Sequence, residues 1–204
     1  KKIFIKHKIL TPKYIKYSFD DHFTKLIPKI KKKFGFPVVI KPINEGSSVN
    51  VYICNKSNLK NRLKKLKPYK EILIEEFISG REIQAAILGN KKLGAIELKP
   101  KRKFYDYEAK YNSKAQTKHI IPVDLSKRKF KELMSISYRV HNLLGCRGVT
   151  RSDFKYYKNK FYLLETNTQP GMTKLSLVPE ICMHKGINFI KLIKLLLDDA
   201  STNK

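Results

Sequence analysis

Two carboxylates, an amide and an arginine have the spacing to meet on one face of a strand pair. The stretch VTRSDFKYY (residues 149–157) is followed, after a short turn, by FYLLETNT (161–168). An antiparallel hairpin centred on Asn159 sets Asp153 opposite Glu165 and Arg151 opposite Asn167. Side chains alternate along strands, so these four share a face, while Phe154 and Leu164 pair on the other, apolar one. Opposed Cβ atoms lie roughly 5 Å apart, and two carboxylates that close repel unless a cation sits between them. Oxygen donors without His or Cys suit a hard cation such as Mg²⁺, which usually shares its shell with substrate phosphates. For the hairpin taken alone, an arginine-carboxylate ladder on a solvated face is an equal alternative.

A second stretch, VVIKPINEGSSVNV (38–51), has the residue types that hold an anion. Lys41 ends a buried strand, and Gly46, Ser47 and Ser48 offer backbone N–H groups and hydroxyls to phosphate oxygens. No G-K-[ST] follows, so this is not a Walker A loop, and a polar turn beside a surface lysine is the plainer meaning in isolation. In ILIEEFISGRE (72–82), Glu82 stands just past Gly80, where it can accept from ribose hydroxyls. The backbone from Glu76 to Ile78 can meet an adenine edge. A solvated glutamate at a strand end is the ordinary alternative.

The elements that must position these groups alternate irregularly. Residues 1–10 read as the tail of a helix stopped at Thr11-Pro12, KYIKYSF as a strand, and DDHFTKLIPKIKKKFG as a helix opening at Asp20 or Asp21. FPVVIKP and VYIC are short strands flanking the Gly-Ser loop, and residues 57–67 are helical, with Leu59, Leu63 and Leu66 on one side. EILIEEF is a strand, followed by a hairpin turning at Gly89-Asn90. Residues 100–116 are aromatic-rich without a period and read as a long functional loop. A helix over about 126–144, the hairpin, and helices near 176–185 and 188–198 complete the chain. Hairpins among helices predict an α+β fold.

At 204 residues and 42% hydrophobic content the chain is long and apolar enough to build a core without disulfide staples. Cys54, Cys146 and Cys182 are scattered and odd in number, as in a reduced cytoplasmic protein. No apolar run approaches a membrane span, and the start KKIFIKHKIL lacks the features of a signal peptide. A net charge of +27 invites a nucleic-acid reading. The charge is mostly Lys and spread evenly, whereas base readers lean on Arg, so only non-specific adhesion to polyanions is expected.

In order, VVIKPINEGSSVNV, LIEEFISGREI, KFYDYEAKY, GCRGVTRSDF, LLETNTQPGMT and SLVPEI resemble the D-alanine-D-alanine ligases of the ATP-grasp superfamily. The resemblance runs from near residue 1 to near residue 198. It implies an ATP-grasp fold, with two α+β subdomains (1–78 and 79–204) clasping the nucleotide. It also implies that Lys41 holds ATP phosphates, that Glu75, Glu76, Phe77 and Ile78 line the adenine pocket, and that Glu82 binds the ribose. Ser47 corresponds to a loop serine bonded to a lid tyrosine, here Tyr111, and Lys110 to the lid lysine facing the γ-phosphate. Asp153, Glu165 and Asn167 correspond to the Mg²⁺ ligands, with Mn²⁺ able to substitute. Arg151 and Gly171 correspond to oxyanion stabilisers, and Ser176 and Leu177 to the seat of the second D-alanine carboxylate.

The activity so implied is cytoplasmic, ATP-dependent synthesis of D-alanyl-D-alanine for peptidoglycan, through an acylphosphate, by a protein that is a homodimer at full length. Tyr111 in EAKY favours D-alanine over D-lactate or D-serine as second substrate. Asn50 departs from the glycine that commonly follows GSSV, and Glu76 from a frequent lysine. Family members carry a further domain ahead of the region matched here, with a glutamate for the first D-alanine ammonium. The sequence therefore reads as a nucleotide-binding and catalytic portion, and a nucleotide-binding fragment without turnover is the alternative reading.

Overall fold

Alternating apolar residues and turn signals resolve into two antiparallel sheets, each with helices on its apolar face. The computed structural model describes residues 1–46, 48–100, 117–173 and 175–200. The long loop expected at 100–116 therefore lies almost wholly outside the described residues.

One unit spans Pro12–Ile78. Strands β1 (Tyr14–Ser18), β2 (Val38–Pro42), β3 (Tyr52–Cys54) and β4 (Glu71–Glu76) form a sheet in the order β1-β4-β2-β3, with every neighbouring pair antiparallel. Leu26 and Ile30 of helix α2 (Phe23–Lys33) and Leu59, Leu63 and Leu66 of helix α3 (Leu59–Leu66) pack on Ile15, Tyr17, Val38, Ile40, Ile72 and Ile74. Alternation turns Lys41 and Glu75 to the opposite face. Helix α2 starts at Phe23 rather than at Asp20 or Asp21, and its cap position, His22, makes no side-chain capping bond. The two aspartates are engaged locally instead. The Ser18 hydroxyl donates to Asp20 at 3.2 Å and the Ser18 N–H to Asp21 at 3.4 Å, the turn-forming use of Asp that competes with helix capping.

The other unit comprises Lys1–Thr11, Ser79–Lys99 and the chain from Lys118 onward. Its sheet runs β7-β6-β5-β8-β9, from β5 (Arg81–Leu88), β6 (Lys91–Lys99), β7 (Lys118–Ile120), β8 (Val149–Tyr157) and β9 (Lys160–Asn167), all antiparallel. Residues 1–11, which the sequence reading groups with the first subdomain, pack here. Phe4 of helix α1 (Lys2–Lys6) and Ile9 are buried in this core, and Leu163 N–H donates to Leu10 O at 2.8 Å. Helix α4 (Lys127–Leu143), capped by the Ser126 hydroxyl on Lys129 N–H, sets Leu133, Met134 and Val140 against Ile83, Ala85, Ile87, Phe154, Phe161 and Leu163.

Helix α5 (Leu177–His184) lies on the other face, where a Cβ on Gly94 would meet Ile181 at 3.3 Å. Helix α6 (Phe189–Asp199) follows it. Among the described residues no helix is long and apolar enough to cross a membrane. Cys54 and Cys182 are buried, Cys146 is half-buried, and none forms a disulfide.

Candidate active site

The hairpin β8–β9 carries the four polar residues together, by a route the symmetric reading lacks. Its turn has two residues, Lys158 and Asn159, at φ 46° and 60°, the pattern of a tight I′ hairpin. Next to that turn the pairs are Tyr157 with Lys160 and Phe154 with Leu163. The register then shifts, so that Asp153 pairs with Glu165 and Arg151 with Asn167. Leu164 is the extra residue of this β-bulge, and the expected pairing of Phe154 with Leu164 is replaced by Phe154 with Leu163. The bulge changes which parity of β9 faces which way. Phe161 and Leu163 enter the core under α4, while Glu165 and Asn167, also odd-numbered, join Arg151 and Asp153 on the opposite face.

Asp153 is 4% exposed. Its charge is met by Arg151, whose Nε donates to one carboxylate oxygen at 2.8 Å and Nη2 to the other at 3.0 Å. Asn167 Nδ2 adds a donation at 3.3 Å. Charge-assisted, two-pronged bonding of this kind replaces the water contacts that a buried carboxylate gives up. Glu165, directly across the ladder, is exposed. The donor set of two carboxylates and an amide fits a hard divalent cation. Among the described residues no three His, Cys, Asp or Glu side chains form an all-protein metal cage. A cation here would need further oxygens from a ligand.

The same face extends onto β5. Register pairs Glu82 with Lys155, Gln84 with Asp153 and Ala86 with Arg151. The Glu82 carboxylate lies 2.9 Å from Lys155 Nζ. Gln84, which the sequence reading did not single out, is 1% exposed, and its Oε1 is buried without a hydrogen-bond partner. A lone amide in the apolar run REIQAAIL gave little warning of this.

After β9 the chain folds back on itself. Ser176 Oγ accepts from Thr173 N–H at 2.9 Å, and a Cβ on Gly171 would come within 2.9 Å of that oxygen. This close packing explains a glycine here and brings Gly171 and Ser176 together at the start of α5, with Leu177 buried beside them. In the first turn of α5, Glu180 bonds His119 of β7 at 2.6 Å.

In the Pro12–Ile78 unit, Lys41 Nζ lies 3.1 Å from Glu75 Oε1, and Glu75 is 3% exposed. Glu76 N–H donates to Lys13 O at 2.8 Å. Phe77 is half-buried and Ile78 buried at the end of that strand. Asn50 has φ 55°, the left-handed conformation that glycine adopts freely and that Asn tolerates better than most residues. Its amide donates to Tyr69 OH at 2.7 Å and accepts from Tyr52 OH at 2.9 Å, which fixes the end of the Gly-Ser loop. Ser47, Lys110 and Tyr111 lie outside the described residues.

Residues 6–198 match the family described as D-ala D-ala ligase C-terminus. The chain is 67% identical over its whole length to the D-alanine-D-alanine ligase of Pelagibacter ubique, of which it covers 67%. Among solved structures it is similar to the D-alanine-D-alanine ligase of Bacillus anthracis, with TM-score 0.84 and 31% identity over 97% of this chain and 64% of that one. An ATP complex of the Bacillus anthracis enzyme gives TM-score 0.80. The VanG D-Ala:D-Ser ligase of Enterococcus faecalis gives TM-score 0.83 at 25% identity, over 97% of this chain and 59% of that one. The chain thus spans 59% to 67% of the length of these relatives.

Proposed function

The chain belongs to the D-alanine-D-alanine ligase C-terminal family, and from that premise we propose that it is the nucleotide-binding and catalytic part of an ADP-forming ligase joining two D-alanines. The observation that carries this reading is the Arg151, Asp153, Glu165 and Asn167 face of the hairpin, where paired carboxylates lie beside a guanidinium. A ligase that joins D-alanine to D-serine instead of to a second D-alanine is the runner-up, by likeness to VanG.

In the proposed reaction a carboxylate oxygen of the first D-alanine attacks the γ-phosphorus of ATP, and ADP leaves. The amine of the second D-alanine then attacks the acylphosphate carbonyl, and collapse of the tetrahedral adduct expels phosphate. Asp153, Glu165 and Asn167 would hold Mg²⁺, which supplies charge neutralisation at the phosphates when bound. Lys41 binds phosphate oxygens by moving away from Glu75, its partner at 3.1 Å. Glu82 accepts from the ribose while sharing Lys155, and Glu75 through Ile78 provide the adenine edge with backbone groups.

Arg151 and the Gly171 N–H meet the oxyanion, a contribution often near 3 kcal/mol per donor. Ser176 and Leu177, at the start of α5, hold the second carboxylate where the helix end favours anions. The roles proposed for Ser47 and Tyr111 are to hydrogen-bond one another, and that for Lys110 is to face the γ-phosphate. Dimerisation at full length and residence in the cytoplasm, where ATP is supplied, complete the proposal.

The test is calorimetric titration of ADP with Mg²⁺ and with EDTA. Asp153→Asn with Glu165→Gln should weaken binding in Mg²⁺ and leave it unchanged in EDTA. Equal loss in both buffers would sink the metal assignment. Phosphate release driven by D-alanine, or by D-alanine with D-serine, separates the two substrate readings.

A further inference from the structure

The buried Gln84 carbonyl oxygen has no hydrogen-bond donor, although it shares its face with the charge-assisted bonds from Arg151 to Asp153. Buried acceptors are ordinarily satisfied, so an orphan beside a reactive group marks a bond made in another state of the molecule. Gln84 stands directly across the ladder from Asp153, and Ala86, two residues on, stands across from Arg151. The amide therefore shares the face on which the Arg151 guanidinium reaches back to Asp153.

Both Asp153 oxygens are engaged by Arg151, at 2.8 and 3.0 Å. A cation drawing on Asp153 must take lone pairs from that grip, and the guanidinium then loses two of the acceptors it holds here. We propose that Gln84 is a positioning residue for Arg151: its Oε1 accepts from the guanidinium once the Asp153 carboxylate turns to a divalent cation. Held so, the Arg151 guanidinium stays in place to meet the oxyanion. Binding of the cation and readiness of the oxyanion donor become one event on this face, with Gln84 as the receiving acceptor. The proposal rests on the metal reading above, whereas the Gln84 role itself comes from the orphan oxygen and the register.

The experiment uses the whole chain with ADP. Mn²⁺ affinity is read from the free-ion electron paramagnetic resonance signal, for wild type and Gln84→Met, which keeps length and volume but removes the acceptor. Gln84→Met should bind Mn²⁺ with ADP about tenfold more weakly while melting at no lower a temperature without metal. Equal Mn²⁺ affinity in the two proteins overturns the proposal. Independently of any variant at 84, the Arg151 Nε–H resonance in a ¹⁵N spectrum, assigned by its loss in Arg151→Lys, should shift when Mg²⁺ and ADP saturate the wild type. Gln84→Glu should show that shift and Gln84→Met a different one. A resonance unmoved in the wild type while the cation binds overturns the role of Gln84. Failure of the wild type to bind Mn²⁺ at all with ADP defeats the metal reading, and this proposal with it.

Discussion

Arg151 grips Asp153 from two positions away on the same strand, with one guanidinium nitrogen on each carboxylate oxygen at 2.8 and 3.0 Å. The pair lies on a largely buried face, so neither member is easily left alone. Removing one partner of such a pair typically costs about 3 kcal/mol or more, because the other charge stays desolvated. Arg151→Met should therefore lower unfolding free energy by about 3 kcal/mol in urea. The double variant with Asp153→Leu should recover most of that loss. Additive destabilisation in the double variant would show that the two residues are not coupled.

Asn50 supplies a second test, in the loop that precedes β3. Asn50→Ala keeps a side chain at φ 55° and loses both tyrosine partners, and should cost about 1–2 kcal/mol. Asn50→Gly relieves the backbone and should cost less. The two midpoints in thermal unfolding decide it, and the reverse order would contradict the left-handed assignment.

His141 of α4 is 2% exposed and hydrogen-bonded to Thr150 Oγ1 at 2.9 Å. Burial pushes its pKa below the ordinary histidine value. The unfolded chain takes up this proton near pH 6.5 while the folded chain does not. The stabilising contribution is therefore fully present above about pH 6.5 and is lost as pH falls toward the folded pKa. Urea midpoints measured from pH 7.5 to 5.5 should drop more for the wild type than for His141→Asn. Parallel curves would refute a neutral buried imidazole.

Burial pushes the Cys54 and Cys182 thiols up to about 11. Since the thiolate is the reactive form, both should resist a disulfide reagent at pH 8 until the chain unfolds. Cys146 is half-buried and should label first. Three fast thiols in the native protein would contradict the packing.

Much of this was legible because strand period and hairpin geometry are strong constraints. Opposing Asp153 to Glu165 and Arg151 to Asn167 followed from symmetry about Asn159, and the structure has both pairs. The turn is nevertheless one residue shorter than that symmetry implies, and the bulge at Leu164 restores the register. Adjacent leucines at 163 and 164 conceal it, since either can fill the core. Strand β7 is only three residues long and follows an aperiodic stretch, so pattern alone passes over it and over the His119 contact to Glu180. Lys41 and Glu75 each stand out in the sequence, but their pairing depends on how β2 lies along β4, which neither strand's own sequence states.

The bulge also sets the kind of change this hairpin can survive. Glu165 reaches the charged face because Leu164, one residue too many, is bulged out of the ladder. Substitutions along β9 alter one contact at a time, whereas losing Leu164 would leave a regular hairpin in which the glutamate still stands opposite Asp153. Among lineages carrying this hairpin, the stretch between residues 160 and 164 should therefore be found one residue shorter and bulge-free, but not one residue longer. A library of single-residue deletions and insertions across this stretch, sorted for nucleotide binding, should return deletions at or before Leu164 and almost no insertions.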